Sequence, residues 1–248
     1  MKMNNFLLEG KHILIIGASS GIGLELVKLC FEKKAKLTLT SRDVKKLKTD
    51  LGLSENVKYL ELDVTNEYEI KSASDKIEKV DGVVYLPGIV SLYPVQFINK
   101  KHVDLVRMPI FDGAVYLVSS LLRSKRINNG SSMVFVSSIS SSYPYKGGAI
   151  YTSSKAALET YSKTLSIELA SKKIRSNCIK AGLVETKILE DTRENVEKEI
   201  YDYHIEKYPL GVGEPLDVAN AIFFLLSNAS KWITGTEITL DGGLTAGA

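Results

Sequence analysis

The segment Lys11–Gly23 reads KHILIIGASSGIG and decides the fold that we expect for the rest of the chain. Its first six residues end in four consecutive apolar ones, as in a buried parallel strand. Apolar residues at helical spacing follow the glycines and continue to Phe31. The glycines are spaced Gly17-x-x-x-Gly21-x-Gly23. A strand, a glycine turn and a helix in this order are typical of a unit that binds a dinucleotide pyrophosphate.

Strand and helix patterns alternate along the rest of the chain. A helix is predicted from Ile110 to Leu122, with Pro109 at its start, where a missing N–H is tolerated. No linker rich in Pro, Gly or Ser and no internal repeat interrupts the pattern. The sequence therefore predicts one doubly wound α/β domain over residues 1–248. The further predicted strands are Lys36–Thr40, Val57–Leu62, Gly82–Leu86 and Met133–Val136.

A second informative stretch runs from Ser138 to Lys155. Ser138 follows the apolar run Met133–Val136 and should sit at the carboxyl end of a strand. Tyr151 and Lys155 are four residues apart, which places them on one face of a helix. A free phenol has a pKa of about 10, and a nearby ammonium favours the phenolate. The trio could therefore exchange a proton with a carbonyl or alcohol oxygen that the serine polarises.

This Tyr-x-x-x-Lys spacing has an ordinary alternative explanation. About one such pair is expected by chance in a chain of this composition, and the segment Tyr203–Lys207 is a second match. That segment is charged and lacks a serine at the end of a preceding strand, so we interpret it as a solvated helix face. The strand, serine and helix context favours a functional role for Tyr151 and Lys155 instead.

The end of the second predicted strand bears on the choice of dinucleotide. An acidic residue there would accept hydrogen bonds from the adenosine ribose of NAD. The chain has Ser41 and Arg42 at this place, and Asp43 stands one step beyond. A ribose 2′-phosphate prefers a positive charge and small donors, which Arg42, Ser41 and Ser19 or Ser20 could supply. The pattern favours NADP(H); the alternative is an ordinary surface arginine.

Asp63 follows the third predicted strand and has two interpretations. Its carboxylate could accept a hydrogen bond from the adenine amino group of a bound dinucleotide. It could instead cap the helix that starts near Asn66.

Composition narrows the functional class. The 248 residues are 44% hydrophobic and 25% charged, an ordinary balance for a globular protein. A net charge of +3 gives no reason to expect nucleic acid or a membrane surface as a partner. Cys30 and Cys178 lie far apart, the three histidines are scattered, and no metal-ligand spacing occurs. Without a leader or an apolar run of spanning length, we expect a cytoplasmic protein that uses no metal.

These motifs together resemble the short-chain dehydrogenase/reductase family over nearly the whole chain. Within that family the similarity is greatest to 3-oxoacyl-acyl-carrier-protein reductases and related ketone reductases. The resemblance implies a seven-stranded parallel sheet with helices on both faces, and a tetramer. The residues that carry it are Gly17, Gly21, Ile22, Gly23, Asp63–Val64, Ser138, Tyr151, Lys155, Gly213–Ala219, Trp232–Glu237 and Asp241–Gly243.

The resemblance also implies roles for individual residues. Tyr151 would be the proton donor in reduction, Lys155 would bind the nicotinamide ribose and tune Tyr151, and Ser138 would hold the substrate oxygen. Val184 and Thr186 would face the nicotinamide carboxamide and phosphate. The implied cofactor-binding residues are Gly17, Ser19, Ser20, Gly21, Ile22, Gly23, Ser41, Arg42, Asp63, Val64, Gly88, Tyr151, Lys155, Gly182, Val184 and Thr186.

Three positions depart from the family pattern. The usual Asn-Asn-Ala-Gly after the fourth strand is Tyr85–Gly88, and Ala181 replaces the usual Pro before Gly182. Ile110 stands where the family has an Asn that anchors a relay water. The change at Ile110 leaves the acid Tyr151, the coenzyme that donates the hydride and the polarising Ser138 in place. It therefore concerns how Tyr151 regains its proton after each reaction. Slow turnover and a relay through another group are the alternatives.

The leading hypothesis is an NADP(H)-dependent carbonyl reductase or alcohol dehydrogenase that acts on a small-molecule or carrier-linked carbonyl. A reductase of a carbohydrate-linked oxo group and a non-catalytic nucleotide-binding protein are the alternatives. The segment 183–210 is charged and aromatic, and we interpret it as a solvated lid. An acidic acyl carrier protein would need a basic rim, although helix-dipole complementation explains the same residues equally well. The basic residues are Arg123, Lys125, Arg126, Lys172, Lys173 and Arg175.

Overall fold

A computed structural model describes residues 3–53, 55–186 and 205–247 of the chain. Its centre is one sheet of seven strands in the order β3-β2-β1-β4-β5-β6-β7. All six neighbouring pairs are parallel. The strands are β1 His12–Ile16, β2 Lys36–Ser41, β3 Val57–Glu61, β4 Val80–Tyr85, β5 Ile127–Ser138, β6 Arg175–Ala181 and β7 Glu237–Leu240. The predicted strands are confirmed, and β5 begins six residues earlier than its apolar core indicated.

Helices cover both faces of this sheet, which confirms the doubly wound arrangement. The described helices are α1 Gly21–Glu32, α2 Val44–Leu51, α3 Glu67–Lys76, α4 Lys100–Arg107, α5 Gly113–Arg123, α6 Ala149–Glu168 and α7 Pro215–Leu226. One hydrophobic cluster contains buried residues of α1, α2 and α7, and the other contains those of α3, α5 and α6. β1 is buried at all five of its residues, because it lies between these two layers.

The strand register brings the segments after several strands to one edge of the sheet. Ile16 of β1 pairs with Tyr85 of β4, Tyr85 pairs with Phe135 of β5, and Ser138 pairs with Ala181. The chain order reverses between β1 and β4, where open α/β sheets bind their ligands beyond the carboxyl ends of the strands. The glycine turn after β1 and the serine at the end of β5 therefore meet at this edge.

The prediction of a helix that starts near Pro109 is wrong. The helical stretch begins at Lys100, passes through a π-helical segment Met108–Asp112, and continues as α5 to Arg123. Proline removes one backbone donor and crowds the preceding turn, and a wider π turn accommodates both effects. The Tyr85 hydroxyl donates a hydrogen bond of 2.6 Å to the Pro109 carbonyl. An interior proline was thus mistaken for a helix start.

The same stretch, Lys100–Arg123, is long and apolar enough to cross a membrane by length and composition alone. Part of its apolar surface lies instead against other parts of the protein, since Val106, Ala114, Leu117 and Leu121 are fully buried. Packing inside the fold therefore accounts for its composition.

We predict that Gly113→Ala destabilises the protein despite the better helix propensity of alanine. A Cβ at this position would lie 2.5 Å from the Val64 carbonyl oxygen and 2.9 Å from the Tyr85 hydroxyl. Alanine gains about 1 kcal/mol in helix propensity, but crowding against fixed backbone outweighs it, and we expect a net loss of about 2 kcal/mol. Urea denaturation measures the change, with the exposed Lys101→Ala as control. Equal stability of both variants and the wild type would contradict the packing described above.

Candidate active site

Ser138 ends β5 and begins a short serine-rich turn. Its hydroxyl oxygen accepts hydrogen bonds from the Ser140 amide at 3.3 Å and from the Ser140 hydroxyl at 2.9 Å. The Ser141 hydroxyl donates to the Ser138 carbonyl at 2.8 Å. These bonds fix the turn and leave the proton of the Ser138 hydroxyl directed elsewhere. The same side chain is a hydrogen-bonding neighbour of the Tyr151 phenol, which places the strand end beside α6.

Tyr151 and Lys155 lie one turn apart on α6, as their spacing predicted. The Lys155 ammonium is 5.7 Å from the centre of the Tyr151 ring. It donates a hydrogen bond of 2.7 Å to the Val136 carbonyl of β5. Lys155 is only 3% exposed, and it forms no ion pair with a carboxylate in the described parts of the chain. The structure thus brings Ser138, Tyr151 and Lys155 together at the carboxyl edge of the sheet.

The protonation equilibria of the two groups follow from their burial. Desolvation lowers the pKa of Lys155 to about 8, while the negative charges of Cys178 and Glu159, when present, favour the ammonium. Desolvation raises the pKa of Tyr151 above its usual value, and the hydrogen bond with Ser138 partly opposes this rise. The expectation that Lys155 makes Tyr151 more acidic is therefore not met in the free protein. The lysine is directed at a backbone carbonyl rather than at the phenol oxygen.

The glycine turn after β1 allows a close approach of backbone and helix. Gly17 has a φ of +86° and Gly21 a φ of +49°, conformations that favour glycine. A Cβ at Gly23 would lie 2.1 Å from the Gly17 carbonyl oxygen. Ser19 and Ser20 are exposed, and the Ser20 side chain makes no capping bond to α1. Ile22 packs against the core below the turn. The first turn of α1 is thus open to an anionic ligand.

The loop after β6 lies against this glycine turn. A Cβ at Gly21 would be 2.9 Å from the methyl group of Thr186. The Thr186 hydroxyl donates to the Val184 carbonyl at 3.2 Å, and Val184 is buried and bridged to Gly213. Gly182 is closely surrounded, with the Tyr208 ring 3.0 Å from the place of a Cβ. The structure therefore brings the predicted phosphate and carboxamide residues together.

Gly88 and Ile110 flank Lys155 on its other side. A Cβ at Gly88 would lie 3.4 Å from the Lys155 ammonium and 3.8 Å from Ile110. Ile110 is fully buried in a small apolar cluster, against which Tyr151 packs. The side chain that replaces the family's Asn is thus embedded in apolar surroundings beside the candidate site.

At the far end of the crevice, Arg42 is exposed beside the buried Ser41. Its guanidinium makes no hydrogen bond or ion pair within the ranges that the structure describes. Asp43 is committed elsewhere, since its carboxylate caps α2 by accepting from the Lys46 amide at 2.9 Å. The Ala18 amide donates to the Thr40 carbonyl at 3.4 Å, which links the glycine turn to the end of β2.

Asp63 does not cap a helix, so that interpretation is wrong. Its Oδ1 accepts from the Thr65 amide at 2.9 Å and from the Thr65 hydroxyl at 2.8 Å, forming a local turn. Asn66 caps α3 instead by accepting from the Tyr68 and Glu69 amides. Val64, the next residue after Asp63, is buried.

The predicted basic rim lies at the opposite edge of the sheet from Ser138. Lys125 and Lys172 precede β5 and β6, and together with Lys79 they line a cleft of about 410 Å³. Arg175 is not available there, because its guanidinium donates to three backbone carbonyls. Arg126 similarly donates to the Asp75 carbonyl at 2.9 Å. This cleft lies at the opposite end of the strands from Ser138.

The predicted lid includes residues 187–204, which lie outside the described residues. Tyr203 of the second Tyr-x-x-x-Lys match is one of them. Among the residues that are described, no group of three or more His, Cys, Asp or Glu side chains could hold a metal. Tyr145, which was not anticipated from the sequence, is 41% exposed, and partial desolvation and the charge of Tyr151 both raise the pKa of its phenol. Glu159 was not anticipated either, although the i, i+4 spacing from Lys155 was visible in the sequence.

Comparisons with known proteins agree with this architecture. A family model described as enoyl-(acyl carrier protein) reductase matches residues 17–245. The 3-oxoacyl-[acyl-carrier-protein] reductase of Thermotoga maritima is 31% identical, over 96% of this chain and 98% of the relative. A 2,5-dichloro-2,5-cyclohexadiene-1,4-diol dehydrogenase of Sphingobium indicum is 28% identical, over 97% and 98%.

A solved structure gives the same result at the level of the fold. The short-chain type dehydrogenase/reductase of Mycobacterium ulcerans superposes with a TM-score of 0.86 at 27% identity, over 96% of this chain and 90% of that one. The chain therefore belongs to the short-chain dehydrogenase/reductase family of oxidoreductases, which act on keto or hydroxyl groups.

Proposed function

We propose that this protein is an NADP(H)-dependent oxidoreductase that reduces a ketone or 3-oxoacyl group to a secondary alcohol, or catalyses the reverse reaction. The observation that carries the proposal is the meeting of Ser138, Tyr151 and Lys155 at the sheet edge that also holds the glycine turn. A hydroxyl, a phenol and a buried ammonium at a dinucleotide crevice are the groups that carbonyl reduction requires.

The glycine turn fits a dinucleotide. Gly23 has no room for a side chain, so the turn after β1 packs tightly against the first turn of α1. Helix N-termini bind phosphate through free amides and the helix dipole. Thr186 lies over Gly21 and closes the other side of the same crevice. These residues would hold the pyrophosphate and the nicotinamide end, with Gly88 beside Lys155 and Asp63 near the adenine.

The protein side of the reaction is proton transfer at one oxygen. A bound nicotinamide coenzyme supplies or accepts the hydride. Ser138 donates a hydrogen bond to the substrate oxygen and raises the electrophilicity of its carbon. Tyr151 gives its proton to the same oxygen as negative charge develops there. Lys155, with a pKa of about 8, is mostly protonated at neutral pH and stabilises the resulting phenolate.

Replacement of the family's Asn by Ile110 changes how the proton is resupplied. The apolar cluster around Ile110 excludes a side-chain acceptor at that point. Resupply then depends on Lys155 itself or on the coenzyme ribose hydroxyls that it would bind. We propose that the turnover is slower than in relatives that carry the Asn, while the sequence of chemical events is the same.

A non-catalytic nucleotide-binding protein is a second candidate. The raised pKa of Tyr151 in the free protein favours it, because a less acidic phenol is a weaker proton donor.

The substrate of the proposed enzyme could be free or linked to a carrier. The buried thiols of Cys30 and Cys178 are consistent with the reducing cytoplasm that we propose as its location.

Replacing Tyr151 by phenylalanine separates these two candidates. We predict that Tyr151→Phe lowers kcat by at least about a hundredfold with a panel of ketones and NADPH, since general acid catalysis contributes about 10²–10⁴-fold. Coenzyme affinity should be retained, because the phenol oxygen is not its main support. NADPH oxidation followed by absorbance is the measurement.

Tyr161→Phe on the same helix is the matched control, and we expect it to keep wild-type kinetics. Its ring packs against Phe111 and Phe135, away from Ser138. If the wild type binds NADPH but turns over no ketone or alcohol in the panel, the protein is the nucleotide binder. Turnover that survives Tyr151→Phe would contradict the proposed role of the phenol.

We propose that Arg42, with Ser41, Ser19 and Ser20, binds the 2′-phosphate of NADP(H). Hydrogen bonds to a charged group contribute about 1.5–3 kcal/mol. Arg42→Ala should therefore weaken NADPH binding about tenfold or more and leave NADH binding nearly unchanged, as measured by calorimetry. The exposed Lys48→Ala on α2 is the control. Equal affinity of the wild type for NADPH and NADH would contradict this assignment.

We also propose that the protein is a homo-oligomer, most simply a tetramer. Leu105, Tyr116 and Ile167 expose apolar surface on α4, α5 and α6, and Ile167 is 77% exposed. β7 is the last strand of the sheet and presents a free edge for pairing. Light scattering should give a mass of about four chains, and Ile167→Lys should shift it to smaller species. A stable monomer in the wild type would refute this.

A further inference from the structure

A cluster of charged side chains is buried directly behind the proposed catalytic residues. Glu159 follows Lys155 by one turn of α6 and is 7% exposed. Its Oε1 accepts a hydrogen bond of 2.5 Å from the Ser137 hydroxyl. Its Oε2 lies 3.5 Å from the Lys180 ammonium of β6. The Ser137 hydroxyl also lies 3.3 Å from the Lys155 carbonyl oxygen, so one serine touches both helix positions.

Lys180 extends this cluster to the serine turn and to β7. Its ammonium donates to the Ser142 hydroxyl at 2.6 Å, four residues after Ser138. It also lies 3.5 Å from a carboxylate oxygen of Glu237. The register pairs Ser137 with Lys180, so the two side chains share the sheet face that α6 covers. Contacts from Glu159 and Lys180 therefore hold the end of β5 against α6.

Such a cluster has an energetic consequence for Lys155. A buried ammonium without a paired charge tends to lose its proton, because desolvation disfavours the charged form. Lys155 hydrogen-bonds a carbonyl, and Glu159, one turn further along the same helix, carries a charge that favours the ammonium. The titratable or charged groups that surround Lys155 or belong to this cluster are Tyr151, Glu159 and Lys163 on α6, Cys178 and Lys180 on β6, and Glu237 on β7.

These groups differ in the charge that they present near Lys155. Cys178 is neutral at physiological pH, because burial raises the pKa of its thiol to about 12. Glu237 is held by both Lys163 and Lys180, and its pKa is lowered on balance although its own burial opposes this. Glu159 is then the carboxylate that favours the ammonium form of Lys155, and Lys180 offsets part of the Glu159 charge from 3.5 Å away. The state of Lys155 depends on this pair.

We propose that Glu159 is a positioning residue: its carboxylate, held by Ser137 and Lys180, keeps the Lys155 ammonium protonated and fixes the end of β5 that carries Ser138. This inference rests on the proposed roles of Tyr151 and Lys155. Glu159 favours the protonated state of Lys155 that stabilises the Tyr151 phenolate, and Lys180 weakens this effect by pairing with the Glu159 carboxylate.

The test is a direct titration of Lys155 in the coenzyme-free protein. Heteronuclear NMR of protein labelled with ¹³C at lysine Cε follows its protonation, with the resonance assigned through Lys155→Arg. Glu159→Gln keeps the acceptor for Ser137 but removes the charge, and it should lower the pKa of Lys155 by about one unit. Lys180→Met removes the opposing charge and should raise that pKa. A lowered pKa means that the ammonium deprotonates at lower pH.

The exposed Glu168→Gln on the same helix is the matched control and should leave the titration of Lys155 unchanged. A purely structural role would reduce stability in both variants without moving the pKa in opposite directions. That result, or a pKa that moves in the same direction in both variants, would overturn the proposal. Because neither coenzyme nor substrate is present, the outcome is independent of whether Tyr151→Phe proves inactive.

A second readout uses alcohol oxidation, in which Tyr151 must be a phenolate. With Lys155 less often protonated, the phenolate is less stable, so Glu159→Gln should move the rising limb of the rate against pH to higher pH. Lys180→Met should move it to lower pH. An unchanged pH profile in both variants, with an unchanged Lys155 titration, would also exclude the assigned role of Glu159.

Discussion

The burial of one ammonium group constrains the whole candidate site. Lys155 is buried between α6 and the sheet, and its ammonium donates a hydrogen bond to the Val136 carbonyl rather than to a carboxylate. Desolvation alone would leave this lysine neutral at mildly alkaline pH. Everything proposed for Tyr151 requires the charged form, so the site depends on what offsets the cost of burying that charge.

The parallel register of the sheet determines which residues lie beside the candidate site. Ser138 of β5 lies beside Ala181 of β6, so the loop after β6 reaches the serine and the glycine turn at one edge. The same register places Lys180 next to Ser137, immediately behind the site. A ligand crevice in front of the strand ends and a charge cluster behind them therefore come from one arrangement of strands. We propose that the cluster acts on the candidate site through this arrangement, without touching substrate.

Much of this was visible in the sequence. Apolar runs between glycine turns gave the strands, and the i, i+4 spacing placed Tyr151 and Lys155 correctly on one helix face. Local rules failed where longer-range geometry decides. Pro109 looked like a helix start, but a π turn accommodates it within a longer helix. The acidity expected of Tyr151 depends on a nearby ammonium and a cationic coenzyme ring, and in the free protein the Lys155 ammonium is bound by a backbone carbonyl of another element. The Glu159 and Lys180 contact depends on packing between α6 and β6, which no local pattern predicts.

The central claim is that a bound coenzyme and a protonated Lys155 together make the Tyr151 phenol acidic, against the effect of its burial. Its most direct measurement is the ultraviolet titration of tyrosinate, taken as the difference between wild type and a variant without the Tyr151 hydroxyl, with and without NADP⁺. The account predicts that NADP⁺ lowers the pKa of Tyr151 below its value in the free protein. A pKa that NADP⁺ leaves unchanged or raises would contradict it.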